Sequence, residues 1–184
     1  NGAPQGMNAR ILPFDPEAAK KLLAAAGYPD GFTVGMQCPN NRYVYDEQIC
    51  LAVISMLGRV GVKITPQFEP AAKWNVRLNT QDISLYMIAY AVLFDTVATR
   101  SATAGGLNAG RYSNPAFDAL LPRIASELDA EKRRALIGEG VAITRNDMVY
   151  LPLHQQPITW AAKKGVALRQ SPDNQLRLRL VTTN

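Results

Sequence analysis

Histidine occurs once in these 184 residues, at His154, and cysteine only twice, at Cys38 and Cys50. A single imidazole excludes histidine-rich metal centres. It also makes any Ser-His-Asp or Cys-His arrangement depend on that one residue. His154 lies in LPLHQQP among hydrogen-bonding glutamines, which suits a structural or pocket-lining imidazole better than a catalytic base. The cysteines lack metal-ligand spacing, and nothing in the sequence puts them within bridging distance, so two buried free thiols are expected ahead of a disulfide. No Gly-x-x-x-x-Gly-Lys-Ser/Thr loop occurs, and Gly105-Gly106 is too little to cradle a phosphate. Isolated carboxylates such as Asp46, Glu47 and Asp118 have ordinary helix-surface or capping roles. The residues imply no cofactor, no metal and no catalytic constellation.

A long apolar run is missing too. The longest, Ile83 to Phe94, contains Ser84 and two tyrosines and is too short to cross a bilayer. No basic-then-apolar leader opens the chain, so no targeting signal is read from it. Its start, NGAPQGMNARILP, reads as a loop, and the chain is expected to be an internal part of a longer one. Blocks of like charge are absent as well. The net charge is +5, yet Lys20-Lys21, Arg133-Arg134, Lys163-Lys164 and Arg177/Arg179 lie far apart, with acids beside most of them. That is a solvated surface and not a nucleic-acid face. What is present is a chain 47% hydrophobic and 19% charged, enough for one globular domain with a trailing extension.

FDPEAAKKLLAAAGYPDGF, Phe14 to Phe32, reads as a capped helix and its exit. Asp15 is the N-cap, Pro16 takes the first helical position, and Glu17 meets the positive end of the dipole. Ala19, Leu22, Leu23 and Ala26 form the inward stripe. Gly27 ends the helix in the left-handed region and Pro29-Asp30-Gly31 turns the chain. Gly31 to Pro39 reads as a strand, and Val62 to Phe68 as a second one broken by Pro66. Between them, Tyr45 to Val60 keeps helical spacing, with Ile49, Cys50, Val53, Ile54, Leu57 and Val60 inward. A helix over 71–79 and a buried strand over 83–94 follow. This alternation predicts an α/β fold with a mainly parallel sheet and helices on both faces.

Beyond the small-residue loop Ala98 to Ser113, either Ser113 or Asn114 caps a helix that starts at Pro115. Phe117, Leu120, Leu121 and Ile124 face inward, and Pro122 should kink or split it. Asp129 starts a further helix to about Asn146, weakened by Gly138 and Gly140. Met148 to His154 reads as a strand with a proline break. From Ile158 to Val181 the alternation, clearest in Leu176-Arg177-Leu178-Arg179-Leu180, predicts strands that pair outside this domain.

Five phrases occur in order: FDPEAAKKLLAAAGYPDGF, LGRVGVKI, KWNVRL, RYSNPAFDALL and RNDMVYLPLHQQ. Together they resemble the C-terminal part of bacterial extracellular solute-binding proteins of family 5, the peptide-, dipeptide- and nickel-binding components of ABC importers. Each phrase is only a capped helix or a turn; their joint order, from Phe14 to about Asn174, makes the resemblance specific. It implies a periplasmic-binding-protein-like (type II) architecture whose two lobes close on a ligand. Residues 1–13 would then link from a missing N-terminal lobe, 14–157 form the C-terminal ligand-binding lobe, and 158–184 return to the other lobe. The implied partners are a small-molecule or peptide ligand and the membrane permease subunits of the importer. The implied location is the periplasm or the outer side of the cell membrane. Capture of a peptide-like or other small polar organic solute is the implied function. A receptor lobe that signals to a membrane partner is the alternative, and an enzyme would need His154 beside a nucleophile in a cleft.

The resemblance also assigns residues. Trp74 matches a family tryptophan that lines the ligand side-chain pocket, unless it is simply a core residue. Tyr90 falls where the family has the tryptophan of a Gly-Trp pair, with Ala89 replacing the glycine. Leu93 stands where peptide-binding relatives place the aspartate that holds the ligand's amino group. Asp95, two residues on, takes that role only if the loop is shifted, and Phe94 adds apolar wall. Asn40, Asn41, Arg42 and Tyr43, after the first strand, are rim candidates or an ordinary turn.

Overall fold

The computed structural model describes residues 13–89, 101–103, 108–154, 156–157, 159–171 and 175–183. Helix α1 (Pro16–Ala25) leads into strand β1 (Phe32–Pro39), which is paired in parallel on both sides. Its neighbours are β2 (Val62–Glu69), in register from Phe32 opposite Val62 to Pro39 opposite Glu69, and the short β3 (Leu85–Tyr86). Helix α2 (Asp46–Gly58) crosses from β1 to β2, and α3 (Ala71–Thr80) from β2 to β3. Pro66 does not break β2; it stays in register opposite Met36. A proline is tolerated there because β2 is an edge strand among the described residues. The strand expected over 83–94 is a ladder of only Leu85 and Tyr86, and Tyr90 to Phe94 lie outside the described residues.

Side chains of β1 alternate between the two faces of the sheet. Met36 and Cys38 meet Cys50 and Val53 of α2 and Met87, with Ile64 and Phe68 packed alongside. On the other face Trp74 and Leu78 of α3 cluster with Ala109 against Tyr86 and Ile88. Helices therefore cover both faces, as the alternation predicts. The expectation of two free thiols is corrected: Cys38 and Cys50 form a disulfide, with an S–S distance of 2.07 Å and Cα atoms 6.4 Å apart. Cys38 is the next-to-last residue of β1 and Cys50 sits in the second turn of α2. The turn between them folds both onto one face, a proximity that exists only once the β–α unit is packed.

The exit of α1 is a hydrogen-bonded Schellman turn. Tyr28 N–H donates to the carbonyl of Leu23 and Gly27 N–H to that of Ala24. The Tyr28 ring then packs on Phe32, centroids 5.1 Å apart, so the tyrosine fixes where β1 begins. Gly31 and Gly61, at φ 77° and 97°, bring the starts of β1 and β2 into backbone contact. A Cβ at Gly31 would lie 1.9 Å from the carbonyl oxygen of Gly61. Helix α1 itself departs from expectation. Its stripe buries no side chain; Leu23 is half-buried, and Leu22 is 71% exposed. Leu23 faces the end of α2 and the turn to β2 across a hollow lined also by Lys20, Gly58 and Val60, and is not packed against them.

Helices α4 (Pro115–Ser126) and α5 (Ala130–Asn146) pack on each other. Phe117, Leu120 and Ile124 are buried, while Leu121 is half-buried. Pro122 lies inside an unbroken α4. Its cost of about 3 kcal/mol is outweighed by three buried apolar side chains at about 1.5–3 kcal/mol each. Asn114 caps α4 by accepting from the N–H groups of Ala116 and Phe117 at 2.9 and 3.2 Å. Its amide donates 2.8 Å to Asp147, the C-cap of α5. The Tyr112 hydroxyl donates to the same Asp147 oxygen, which ties the start of α4 to the end of α5. Asn108 then links Tyr112 to Gln81 at the end of α3.

Met148 to His154, expected as a strand, is irregular and pairs with no described strand, the Leu151-Pro152 step removing a ladder N–H. The leucine-arginine alternation is also not a strand: Leu178–Leu180 is one turn of 3-10 helix. Strands β4 (Val166–Leu168) and β5 (Val181–Thr183) pair antiparallel with each other.

Two measurements test these points. Gly31→Ala is expected to cost about 3 kcal/mol or more, since a carbonyl must move and the backbone is left-handed. Gly27→Ala, at φ 91° with nothing within 4 Å, should cost only about 1 kcal/mol. Denaturant midpoints of the two variants give the comparison, and equal losses would contradict the close approach. The second test concerns Tyr112, whose hydroxyl burial and its bond to Asp147 push up to about 12. A raised folded value stabilises below the ordinary tyrosine range near pH 10 and is lost as pH rises toward 12. The stability advantage of the parent over Tyr112→Phe should therefore be flat below pH 10 and shrink between about 10 and 12.

Candidate functional site

The carboxyl ends of the three parallel strands open on one edge, the place where open α/β sheets hold ligand groups. There the β1–α2 loop runs from Asn40 to Tyr45, and its shape is set by Asp46, which is 4% exposed. One oxygen of Asp46 accepts from the N–H groups of Arg42 and Tyr43 at 2.8 and 3.0 Å. The other accepts from Glu47 N–H at 2.9 Å. Tyr45 occupies the N-cap in the left-handed region, φ 56°, with no side-chain cap of its own. Asn41 reaches across the edge, and its side-chain oxygen accepts from Ala71 N–H at 2.8 Å. This supplies the cap that Pro70, ahead of α3, has no side chain to make.

Asn40 N–H donates to the Glu69 carbonyl at 3.1 Å. The Tyr43 hydroxyl donates to the Ala89 carbonyl at 3.3 Å, and its ring meets Trp74 edge-on at 6.3 Å. The Arg42 guanidinium lies over the Tyr43 ring, 5.1 Å from its centroid. The structure thus brings Asn40, Asn41, Arg42, Tyr43 and Trp74 to one edge. Tyr90, Leu93, Phe94 and Asp95 lie outside the described residues. Trp74 is 2% exposed and packed in the α3-side cluster, yet its indole N–H has no hydrogen-bond partner. The side-chain oxygen of buried Gln37, on the neighbouring part of β1, is likewise unpartnered.

Charge at this edge is mostly spent. Glu69, at the end of β2, is buried and accepts from both Arg77 and Lys73 at 2.8 Å. The hydrogen bond from Arg77, and next that from Lys73, hold its carboxyl below the usual range. Glu69 in turn raises Arg77, which also pairs with Asp82. Arg42 makes no ion pair among the described residues, although Asp46 is only four positions away. The Asp46 oxygens are already committed to backbone N–H groups. His154 is exposed, with its Nε2 3.4 Å from the Gln156 side chain. Among the described residues no group of three or more His, Cys, Asp or Glu side chains could hold a metal. No described helix is long and apolar enough to cross a membrane.

Sequence reasoning reached the Asn40–Tyr43 loop but missed what shapes it. Asp46 reads as a capping aspartate, and nothing in sequence says that it turns back over the preceding loop. The Glu69–Lys73–Arg77 group carried a signal, since spacings of four and eight put all three on one line of a helix entrance.

The family model described as bacterial extracellular solute-binding proteins, family 5 Middle, matches residues 1–109, more than half of the chain. Among individual proteins, the chain is similar to heme-binding protein A of Haemophilus influenzae, 26% identical over 77% of this chain and 27% of that protein. It is similar to the oligopeptide-binding protein OppA of Mycobacterium tuberculosis, 27% identical over 87% of this chain and 29% of that one. The crystal structure of Haemophilus influenzae OppA in complex with RPPGFSPFR superposes with a TM-score of 0.73 at 17% identity. That match covers 91% of this chain and 34% of the other, and it supports the fold: a lobe of a type II periplasmic binding protein. The chain spans about a third or less of the length of these relatives. By the family match it belongs to the bacterial extracellular solute-binding proteins of family 5.

Proposed function

We propose that this chain is the C-terminal lobe, residues 14–157, of the substrate-binding component of a bacterial ABC importer, with 158–184 returning to the other lobe. The whole receptor captures a peptide-like or other small polar organic solute between its lobes, outside the cell membrane, and hands it to the permease subunits. The observation that carries this reading is the match to a solute-binding family across residues 1–109, the stretch that contains the β1–α2 loop. The site reading adds support: a rigid scaffold presents polar and aromatic groups at the strand ends, and the described residues offer no nucleophile–base pair. The protein acts by binding and not by catalysis. The two named relatives bind haem and oligopeptides, and both solutes carry carboxylates. The stacking of the Arg42 guanidinium on Tyr43, without an acidic partner among the described residues, supports a role for it in receiving one.

Native mass spectrometry of the intact protein, purified from its source, should reveal a bound organic solute. Repeated recovery of empty protein that also fails to retain peptides or haem would count against the reading. With the carried solute in hand, Arg42→Gln should weaken a carboxylate-bearing compound by about 1.5–3 kcal/mol and leave its amidated analogue almost untouched. Asp95→Asn should likewise weaken a solute with a free ammonium group and spare a neutral one, both variants being measured by isothermal titration calorimetry.

A further inference from the structure

The loop that bears Asn40, Asn41, Arg42 and Tyr43 is closed on itself twice. The disulfide between Cys38 and Cys50, 12 positions apart, makes a covalent ring that encloses all four residues. Inside that ring, Asp46 departs from ordinary helix capping. It occupies the first position of α2, and one carboxylate oxygen turns back to hold the N–H groups of Arg42 and Tyr43. The ring is also pinned at its rim, through Asn41 to Ala71, Asn40 to Glu69 and Tyr43 to Ala89. Tyr45 remains in the left-handed region although it is 71% exposed, so no packing of its side chain rewards that conformation. A non-glycine residue stays there when the surrounding structure over-determines it.

We propose that the Cys38–Cys50 disulfide and Asp46 are positioning residues for solute capture, holding the Arg42–Tyr43 backbone in its binding geometry before a solute arrives. This rests on the solute-binding reading above. Neither group points at the rim; Cys38 and Cys50 are fully buried and the Asp46 oxygens are consumed by backbone. Their effect is to remove the ordering cost that a mobile loop would meet on binding. A disulfide elsewhere in the lobe would stabilise the fold equally well. This one spans the candidate loop and little besides.

The test combines hydrogen exchange of the intact protein, resolved to Asn40–Tyr45, with fluorescence anisotropy of fluorescein-tagged tri- to pentapeptides with free carboxyl termini. Asp46→Ala, with the disulfide intact, should speed exchange in that segment by about tenfold or more and weaken peptide binding about tenfold. Exchange along β2 should stay unchanged. Asp46→Asn should restore most of both, because its amide oxygen can take the place of the oxygen that holds Arg42 and Tyr43. Cys38→Ala/Cys50→Ala should act in the same direction as Asp46→Ala. The proposal is overturned if Asp46→Ala leaves exchange at 40–45 unchanged, or accelerates it only together with the whole lobe. It is overturned equally if the segment loosens while peptide affinity stays at the parent value. Failure of the parent protein to bind any of the peptides counts against the proposed function, and the exchange data then decide by themselves whether the clamp holds the loop.

Discussion

Parallel pairing of β1 on both of its edges is the constraint on which the rest of the structure depends. Two parallel neighbours cannot be reached by tight turns, so each connection must cross a face of the sheet and carry a helix. That requirement places α2 and α3 on opposite faces and brings the carboxyl ends of the strands, with the starts of both helices, to one edge. The other edge meets the complementary demand. There Gly31 and Gly61 let two backbones touch, which sets the register that runs on to Pro39 opposite Glu69. The polar rim at one end is thus set in register by close packing at the other.

The rim shows how few of its polar groups are left uncommitted. Glu69 is neutralised by Lys73 and Arg77, Asn41 closes the entrance of α3, and Asp46 holds the loop beside it. What remains is a guanidinium over a tyrosine ring and, behind it, the buried indole N–H of Trp74 without a partner. An unmade hydrogen bond in the interior is costly.

Away from the sheet the picture changes. Phe14 is 89% exposed, Leu128 97% and Leu178 77%, and α1 buries no side chain at all. Apolar side chains at such exposure gain little from burial in this chain. In the proposed two-lobed receptor they become surface for the remainder of the polypeptide to cover. In the interior, by contrast, two buried clusters share Tyr43, which packs against both and so ties the candidate loop to the core.

Local chemistry was legible wherever neighbours in sequence decide the outcome. The caps at Asp15 and Asp129, the glycine exit of α1 and the α-β alternation follow from residues a few positions apart, and so they could be read directly. The loop from Asn40 to Tyr43 was legible as a position and not as a shape. The errors share one cause. Pro66 and Pro122 look like breaks until an edge strand and a buried helix face absorb them. Leu176 to Leu180 looks like a strand, yet Leu178–Leu180 folds as one turn of 3-10 helix. Free or bridged thiols at Cys38 and Cys50 cannot be told apart until the β–α turn sets their Cα atoms 6.4 Å apart. By itself, then, the sequence determined the helices and the first two strands, and their order, because propensity and periodicity act over a turn or a pleat. Only the tertiary structure decided the disulfide, the inward turn of Asp46 and the meeting of Tyr43 with Trp74, because each depends on distances that folding alone sets.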